Sequence, residues 1–330
     1  MSKNFDKLPL KDRLEEKIRI FLNSIWKEKH EDSLLEKWTN NFETEEEKLH
    51  MLFLLSKFMY FGNLEIRELL TSIYRDFFKY PQIHKIRRDD SHTINKTDIE
   101  IKFDEVLTKT KFLGVGNPSE SGVHLLYYFR QQNNLTKNLF ITLSEIFKFT
   151  EKSKSSGTGT YLTIEIGLPN IENYIFIDDF CGTGNQAESE LKDKLINLKR
   201  LKPEVKLYYF MMFGTNVGIN KIQNIEYLNP KNCSMEKVFE EVKAIFLLDD
   251  SFKTFNANSR FFAQAPEEIT QILCKNTNEK YGKPMRFGPL GYDNCELMLS
   301  FSHNTPDNSL PIFWNEQKLW KPFFKRYNKI

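Results

Sequence analysis

The sequence has few cysteines and no long apolar run. The four cysteines, Cys181, Cys233, Cys274 and Cys295, lack the paired spacing of a zinc site or a disulfide framework. No apolar run reaches the about 18 residues of a transmembrane helix, and the first residues lack the apolar core of a signal peptide. A net charge of +2 argues against a strongly basic nucleic-acid-coating protein or a membrane-seeking one. We therefore expect a cytoplasmic protein with no membrane partner.

Hydrophobic residues are abundant enough for a large core. They make up 40% of the chain and include 29 phenylalanines, which suits one large α/β domain or two smaller ones. The first 90 residues show helical spacing, and Thr44 with Glu47 forms a capping box before an apolar run. This pattern predicts a helical N-terminal segment.

The stretch 174–186 carries the strongest functional signal. An apolar run from Tyr174 to Ile177 predicts a buried parallel strand, and two acids, Asp178 and Asp179, follow it directly. Ligands of such sheets bind beyond the carboxyl ends of the strands. A turn containing two glycines then leads into a predicted helix, 187–198, and glycines let successive N–H groups converge on one anion.

A ribose 5-phosphate satisfies both halves of this stretch. Acids beside an anion site repel a bare phosphate, whereas Asp178 and Asp179 can accept hydrogen bonds from vicinal sugar hydroxyls, directly or through Mg²⁺. The turn and the helix start would hold the 5-phosphate. The predicted substrate-binding residues here are Gly182, Thr183, Gly184, Asn185 and Gln186.

The same residues resemble a known family. The run Ile-Phe-Ile-Asp-Asp-Phe-Cys-Gly-Thr-Gly, from Ile175 to Gly184, is similar to the phosphoribosyl pyrophosphate signature of type I phosphoribosyltransferases. The order of its residues, with Asn-Gln following, resembles that of the phosphoribosyltransferase-like branch found in bacterial conflict systems. Some retron antiphage cassettes encode members of this branch. The resemblance spans roughly residues 40–315.

The resemblance implies a fold, a domain plan and a reaction. It implies a phosphoribosyltransferase-like α/β fold in which helices flank a parallel sheet. Residues 1–90 would be a helical extension or cap, and residues 91–330 the core with a C-terminal hood. The reaction would be Mg²⁺-dependent transfer at C1 of a 5-phosphoribosyl group, with Asp178 and Asp179 as catalytic residues and metal ligands. The activity would serve phage defence as a toxic effector, held in check by a partner such as a reverse transcriptase with its nucleic acid.

A second Gly-rich loop precedes a predicted helix near residue 122. A short strand from Phe112 leads into a Gly/Asn/Pro/Ser loop, and Ser119 or Ser121 is a candidate N-cap. The resemblance assigns the pyrophosphate to Asn117, Ser119, Ser121 and Gly122. An ordinary capped turn is the alternative.

Two other polar loops are candidates for catalysis. Residues 151–160 are small and polar, as in the mobile lid of this enzyme class, where Lys152 or Lys154 would neutralise the leaving pyrophosphate; a disordered linker is the alternative. His303 lies in an Asn-rich loop that resembles a recurring C-terminal motif of the conflict-system family. It is our candidate for acid/base work or base recognition, against a structural turn.

Further segments complete the predicted secondary structure. We expect a polar linker with a basic patch at 81–98, strands at 138–143, 206–213 and 222–228, a turn at 216–220, and a helix at 235–245. The patch contains His84, Lys85, Arg87 and Arg88 and either meets a phosphate-bearing partner or is simply solvated.

Four other interpretations compete with phosphoribosyl transfer. Dinucleotide binding and S-adenosylmethionine-dependent methyl transfer both require an acid at the end of the next strand, where Gly214, Thr215 and Asn216 stand instead. A non-catalytic nucleotide-sensing subunit is favoured by Gly182, where purine-salvage enzymes carry an aspartate, and by Gln186, where a threonine is common. A structural turn that binds no ligand is the remaining possibility.

Overall fold

The computed structural model of the protein describes residues 8–26, 33–116, 121–153, 159–317 and 319–327. Its α-helices are α1 (Leu10–Ile20), α2 (Leu34–Thr39), α3 (Glu45–Leu55), α4 (Asn63–Ser72), α5 (Tyr80–Asp89), α6 (Lys96–Thr108), α7 (Ser121–Gln132), α8 (Asn185–Leu201), α9 (Asn216–Gln223) and α10 (Gln271–Gly282). Short π-helical segments are Phe21–Ile25 and Ile73–Lys79, and 3₁₀ segments are Lys137–Leu139, Leu143–Ile146, Asp250–Phe252, Tyr292–Asn294 and Pro311–Phe313.

The strands alternate with these helices through most of the chain. They are β1 (Met59–Phe61), β2 (Thr110–Gly114), β3 (Phe147–Ser153), β4 (Thr160–Ile166), β5 (Asn173–Cys181), β6 (Lys206–Thr215), β7 (Glu226–Leu228), β8 (Met235–Lys237), β9 (Glu241–Leu248) and β10 (Leu299–Phe301).

The chain forms two compact units. The first unit combines residues 1–66 with residues 248–330, and the second unit consists of residues 67–247. This division differs from the predicted one, which separated residues 1–90 from the rest of the chain. The N-terminal helices therefore share a unit with the C-terminal segment.

The second unit is built on a four-stranded sheet in the order β2-β5-β6-β9. Strands β2, β5 and β6 run parallel, with Phe112 opposite Ile175 and Ile175 opposite Tyr208. Leucines of α8 pack on one face of the sheet in a shared core with Phe176 and Tyr209. On the other face, α7 brings Phe129 against Phe112 at 5.2 Å between ring centroids. The prediction of an α/β fold with a parallel sheet flanked by helices is confirmed.

The first unit is joined by contacts between distant parts of the sequence. Strands β1 and β10 pair in parallel, with Tyr60 opposite Ser300. Trp38 donates its indole N–H to the carbonyl of Ile312 at 3.1 Å, and its ring stacks on Phe313 at 5.4 Å. The predicted capping box is confirmed at the start of α3, where the Thr44 hydroxyl accepts from the backbone N–H of Glu47.

Several local predictions are wrong. The segment predicted as a linker, 81–98, contains most of α5 and the start of α6, because Pro81 suits the first turn of a helix and the polar residues cover an exposed face. The predicted turn at 216–220 is the start of α9, since Thr215 caps it by accepting from the N–H of Gly218.

Three more predictions failed in whole or in part where short apolar patterns suit both strand and helix. The segment 235–245, predicted as a helix, forms β8 and the first part of β9, in which burial follows sheet pairing rather than helical spacing. The predicted strand at 138–143 forms no named strand among the described residues. It contributes an isolated bridge from Phe140 to Phe112 and a 3₁₀ turn. The predicted strand at 222–228 is only β7, preceded by the last turn of α9.

Candidate functional site

The two acids lie inside the central strand of the second unit. Strand β5 extends to Cys181, four residues past the predicted apolar run, so Asp178 and Asp179 are part of the strand rather than its successors. Their side chains are only 9% and 7% exposed. Successive strand residues leave the backbone in opposite directions, but the two carboxyl groups are close enough for the Asp179 side chain to act on Asp178.

Asp178 is held by a buried hydroxyl and a backbone donor. The Oη of Tyr209, on the neighbouring strand β6, donates to Oδ2 of Asp178 at 2.5 Å. Oδ1 of Asp178 accepts from the N–H of Asp179 at 2.9 Å, and Oδ1 of Asp179 accepts from the N–H of Phe180 at 2.9 Å. These bonds fix the orientation of both carboxyl groups.

Burial dominates the ionisation of this cluster. Burial raises the pKa of Asp178 well above its ordinary value, the negative charge of Asp179 raises it further, and the Tyr209 hydroxyl opposes both. Burial also raises the pKa of Tyr209 well above its ordinary value and raises the pKa of the Cys181 thiol to about 12. The site therefore favours a ligand that supplies donors or a cation to the carboxylates.

The turn after β5 has the geometry of an anion-binding helix start. Gly184 adopts φ +75° and precedes the first residue of α8, a helix of 17 residues. Oγ1 of Thr183 accepts from the N–H of Asn185 at 3.3 Å. A helix N-terminus presents backbone donors and the positive end of the helix dipole, so a phosphate placed here gains both.

The turn between β6 and α9 contacts this loop and helps to fix its position. The carbonyl of Gly182 accepts a hydrogen bond from the hydroxyl of Thr215 at 2.5 Å, at the end of β6. A Cβ atom added to Gly218, in α9, would lie 2.8 Å from the carbonyl oxygen of Cys181. Only glycine allows this close approach of α9 to the loop.

A lysine on the same helix reaches the start of α8. Nζ of Lys221 lies 2.5 Å from Oδ1 of Asn185 and 2.9 Å from Oε2 of Glu188. This cation is beside Asn185, a residue of the predicted phosphate loop. Sequence reasoning missed Tyr209, Thr215, Gly218 and Lys221, because each is brought to the loop by the pairing of β5 with β6 and by no local pattern.

The loop after β2 meets the acids at Gly122. A Cβ added to Gly122 would lie 3.3 Å from Oδ1 of Asp178 and 2.5 Å from the carbonyl oxygen of Val115. The structure thus brings Gly122 and Asp178, two predicted site residues, together. Of the other residues predicted here, Asn117 and Ser119 lie outside the described residues, and Ser121 is described only as the first residue of α7.

The predicted lid, residues 151–160, includes the end of one strand and the start of the next, and these strands form an antiparallel hairpin. Strands β3 and β4 pair from Phe147 opposite Ile166 to Ser153 opposite Thr160. Residues 154–158, including Lys154, lie outside the described residues, whereas Lys152 forms an ion pair with Glu165 at 2.7 Å. Strand β4 packs against α8, the helix that begins at the loop. The predicted role of a lid stays a prediction.

The predicted acid/base residue His303 belongs to the first unit, whereas residues 178–186 belong to the second. The His303 ring stacks on Phe301 with 5.3 Å between ring centroids and 6° between ring planes. The catalytic role of His303 stays a prediction.

A Mg²⁺ ion carried by a phosphorylated sugar fits the donors present. Within the described ranges, no group of three or more His, Cys, Asp or Glu side chains could hold a metal ion. Mg²⁺ is, however, usually bound by one or two carboxylates together with water and substrate phosphates. Asp178 and Asp179 supply that smaller number of ligands.

Comparison with known proteins connects this geometry to a family. The model of the family described as PRTase-CE matches residues 35–326. No curated protein matches the chain. Across the part of the chain that the structure describes, no helix is both long and apolar enough to cross a membrane.

The solved structures similar to this chain are distant. The AQ2163 protein from Aquifex aeolicus is 12% identical, with a TM-score of 0.27, covering 67% of this chain and 86% of that one. The xanthine-guanine-hypoxanthine phosphoribosyltransferase of Helicobacter pylori is 13% identical, with a TM-score of 0.25, covering 58% and 86%. A hypothetical protein from Neisseria gonorrhoeae with bound ppGpp is 8% identical, with a TM-score of 0.25, covering 58% and 85%. Likeness at this level carries no argument about function.

Proposed function

The chain belongs to the PRTase-CE family. We propose that it binds phosphoribosyl pyrophosphate or a ribonucleotide 5-phosphate and makes or breaks a bond at C1 of the 5-phosphoribosyl group. One observation carries the proposal. Two adjacent buried acids in the central strand are followed, within six residues, by a glycine turn and a long helix start. The acids suit sugar hydroxyls, and the turn suits the 5-phosphate.

The acids orient the sugar. In the proposed complex the vicinal hydroxyls of the ribose donate to Asp178 and Asp179, and each such charge-assisted hydrogen bond contributes about 1.5–3 kcal/mol. Tyr209 keeps the Asp178 carboxyl in one orientation through its bond to Oδ2. Three or four such bonds to ligand give about −8 kcal/mol, which corresponds to micromolar affinity.

The loop holds the phosphate away from the acids. Backbone donors of residues 183–186 and the N-terminus of α8 bind it. Lys221 pairs with Glu188 and contacts Asn185, so it offsets the negative charge of Glu188 at the same end of the helix. A Mg²⁺ ion, held by Asp178 or Asp179 together with ligand oxygens, would supply charge neutralisation for the departing pyrophosphate.

Bond cleavage at C1 develops an oxocarbenium-like charge, so exclusion of water matters. The hairpin of β3 and β4 supports a role as the lid, because its outer part exposes an apolar face. Phe149, Leu162 and Ile164 are 66%, 72% and 47% exposed. Closure over a ligand would bury this face, and Lys152 would move with it.

A ligand-sensing role is the second candidate, and one position favours it. Residue 182 is glycine, and its carbonyl oxygen is occupied by the Thr215 hydroxyl. No side chain at that position can act as a base for purine transfer. In this role the same site binds the phosphoribosyl ligand without turning it over and signals to a protein partner.

The biological setting is part of the proposal. In it, the protein acts in antiphage defence as a toxic effector beside a partner such as a reverse transcriptase with its nucleic acid. Mass spectrometry of metabolites in cells that express wild type or an acid-to-amide variant tests this. The proposal is supported if phosphoribosyl pyrophosphate or one nucleotide pool is lost only in cells that express wild type. Unchanged pools count against an effector that acts by consuming these metabolites.

The direct test separates binding from catalysis. We expect Asp178→Asn with Asp179→Asn to abolish pyrophosphate release from phosphoribosyl pyrophosphate with a panel of bases, and to weaken binding in calorimetry by at least about tenfold. Asp193→Asn, on the exposed face of α8, is the matched control and should retain both activities. Binding without turnover would favour the sensor, and tight binding of S-adenosylmethionine instead would overturn the proposal.

A further inference from the structure

A cationic pocket lies along helix α5 and the turn that follows it. Its volume is about 480 Å³, within the range of small-ligand sites. It is lined by Pro81, His84, Lys85, Arg87, Arg88 and His92. None of these residues is acidic, so the lining has one sign of charge.

Two acids lie close to the pocket; one pairs with Arg88 of the lining and the other with a lysine outside it. Asp89 is 3.6 Å from Nε of Arg88 in an exposed pair, and Asp90 is 2.7 Å from Nζ of Lys102. Nε of Arg87 donates to the carbonyl of Thr93 at 3.0 Å, which fixes its guanidinium against the turn. The remaining N–H groups of that guanidinium are still donors for an anion.

A second lysine lies close enough to Lys85 for their charges to interact. The pKa of Lys206, the first residue of β6, is lowered by burial first and then by the positive charge of Lys85, while Glu240 and Glu172 act in the opposite direction. Two ammonium groups held together repel each other unless an anion lies between them. Basic residues in the last turn of α5 also suit the helix dipole, but that does not explain a lysine held against Lys206.

The pocket and the candidate active site lie at opposite ends of strand β6. Lys206 begins β6, and Thr215, which binds the carbonyl of Gly182, ends it. A strand rises about 3.3 Å per residue, so roughly 30 Å separate these two ends. Phe77 packs on Phe210 at 5.3 Å, which holds the helical segment leading into α5 along the strand. An anion in the pocket is therefore separate from the proposed substrate.

We propose that this pocket binds consecutive phosphoryl groups, supplied either by a free polyphosphate or by the backbone of a single-stranded nucleic acid. Arginine presents a fork of donors that matches phosphate oxygens, and lysine adds a mobile point charge. The pocket is a second binding site that goes beyond the proposed reaction at ribose C1.

The test measures binding of two probes to the full chain. Fluorescence anisotropy follows a labelled single-stranded DNA of about 12 nucleotides at about 50 mM salt, and inorganic tripolyphosphate is the competitor. The variant Lys85→Gln with Arg88→Gln removes two exposed charges of the pocket. The control Lys137→Gln with Lys283→Gln removes two exposed charges elsewhere.

We expect the pocket variant to bind at least about tenfold more weakly and to lose about two units of the salt-dependence slope. The control should stay within about twofold of wild type. Tripolyphosphate that competes with an inhibition constant below the Kd of the DNA assigns the site to free polyphosphate, and weaker competition assigns it to the strand. Equal binding by both variants, equal loss in both, or no binding by wild type at about 1 mM overturns the proposal. Thermal melting confirms that all three proteins are folded.

Discussion

Strand β5 and the hairpin of β3 and β4 are neighbours in the chain, yet they differ in almost every physical respect. Strand β5 is buried on both faces and lies between two parallel neighbours. The hairpin pairs only with itself, and the cross-strand pair Phe149 and Ile164 is exposed. Its opposite face carries polar contacts, such as the bond from Oγ1 of Thr163 to the carbonyl of Thr150 at 2.9 Å.

The difference assigns separate tasks to the two regions. A strand fixed on both sides holds its carboxylates in one geometry, as the proposed binding of a sugar requires. A two-stranded hairpin has little stability of its own, so the proposed closure would cost little. The proposed function therefore places precision in β5 and adaptability in the hairpin.

Removal of matched aromatic rings gives the largest expected effect. Phe176 of β5 is fully buried and packs edge-on against Phe239 at 6.2 Å, so Phe176→Ala should lower the free energy of unfolding by about 3–5 kcal/mol. Phe149→Ala, in the hairpin, should change it by less than about 0.5 kcal/mol. Denaturant titration followed by circular dichroism measures both. A large loss of unfolding free energy in Phe149→Ala would mean that the hairpin face is packed in solution, and the proposed contrast with β5 would be wrong.

A smaller effect is expected where β5 enters the phosphate loop. Gly218→Ala places a Cβ 2.8 Å from the carbonyl oxygen of Cys181, and such overpacking costs about 1–3 kcal/mol. The displaced loop should also bind phosphoribosyl pyrophosphate more weakly in calorimetry. Val217→Ala is the neighbouring control, because Val217 is exposed. Unchanged binding by Gly218→Ala would show that the loop is as adaptable as the hairpin.

The sequence predicted the parts of this site that local chemistry determines. Tyr174 to Asp179, the glycine turn and the start of α8 follow one another directly, so apolar run, acids, turn and helix could be identified in order. The Thr44 capping box was identified for the same reason, because its two partners are three residues apart.

The contacts that depend on pairing between strands could not be predicted. Tyr209 reaches Asp178 only because β6 pairs with β5 in one register, and Lys221 reaches Asn185 only because α9 follows that strand. The 235–245 segment was assigned to a helix because its few apolar residues fit either period, and sheet pairing decided between them.

The smallest expected effect distinguishes two buried tyrosines of the sheet. Tyr209→Phe removes the donor to Oδ2 of Asp178 and should cost about 1 kcal/mol near pH 5. Tyr174→Phe should be neutral or slightly stabilising, because the buried Tyr174 hydroxyl has no hydrogen-bond partner among the described residues. Denaturant titration of both variants against wild type measures the difference. Equal costs would mean that the Tyr209 hydroxyl does not hold the acid.

The pH dependence of that cost follows from the Asp178 carboxyl. Burial and the charge of Asp179 raise its pKa in the folded protein, so the folded state binds more protons than the unfolded state above about pH 4, the ordinary pKa. Stability from this group is therefore complete below that pH and is lost as pH rises through the raised pKa. The Tyr209 hydrogen bond lowers that pKa because it favours the ionised form. Tyr209→Phe should raise the pKa further and cost more stability at pH 8 than at pH 5, whereas Tyr174→Phe should cost the same at both. A cost for Tyr209→Phe that does not change with pH would mean that Asp178 keeps one protonation state throughout, and that the acids of β5 are fixed in charge as well as in position.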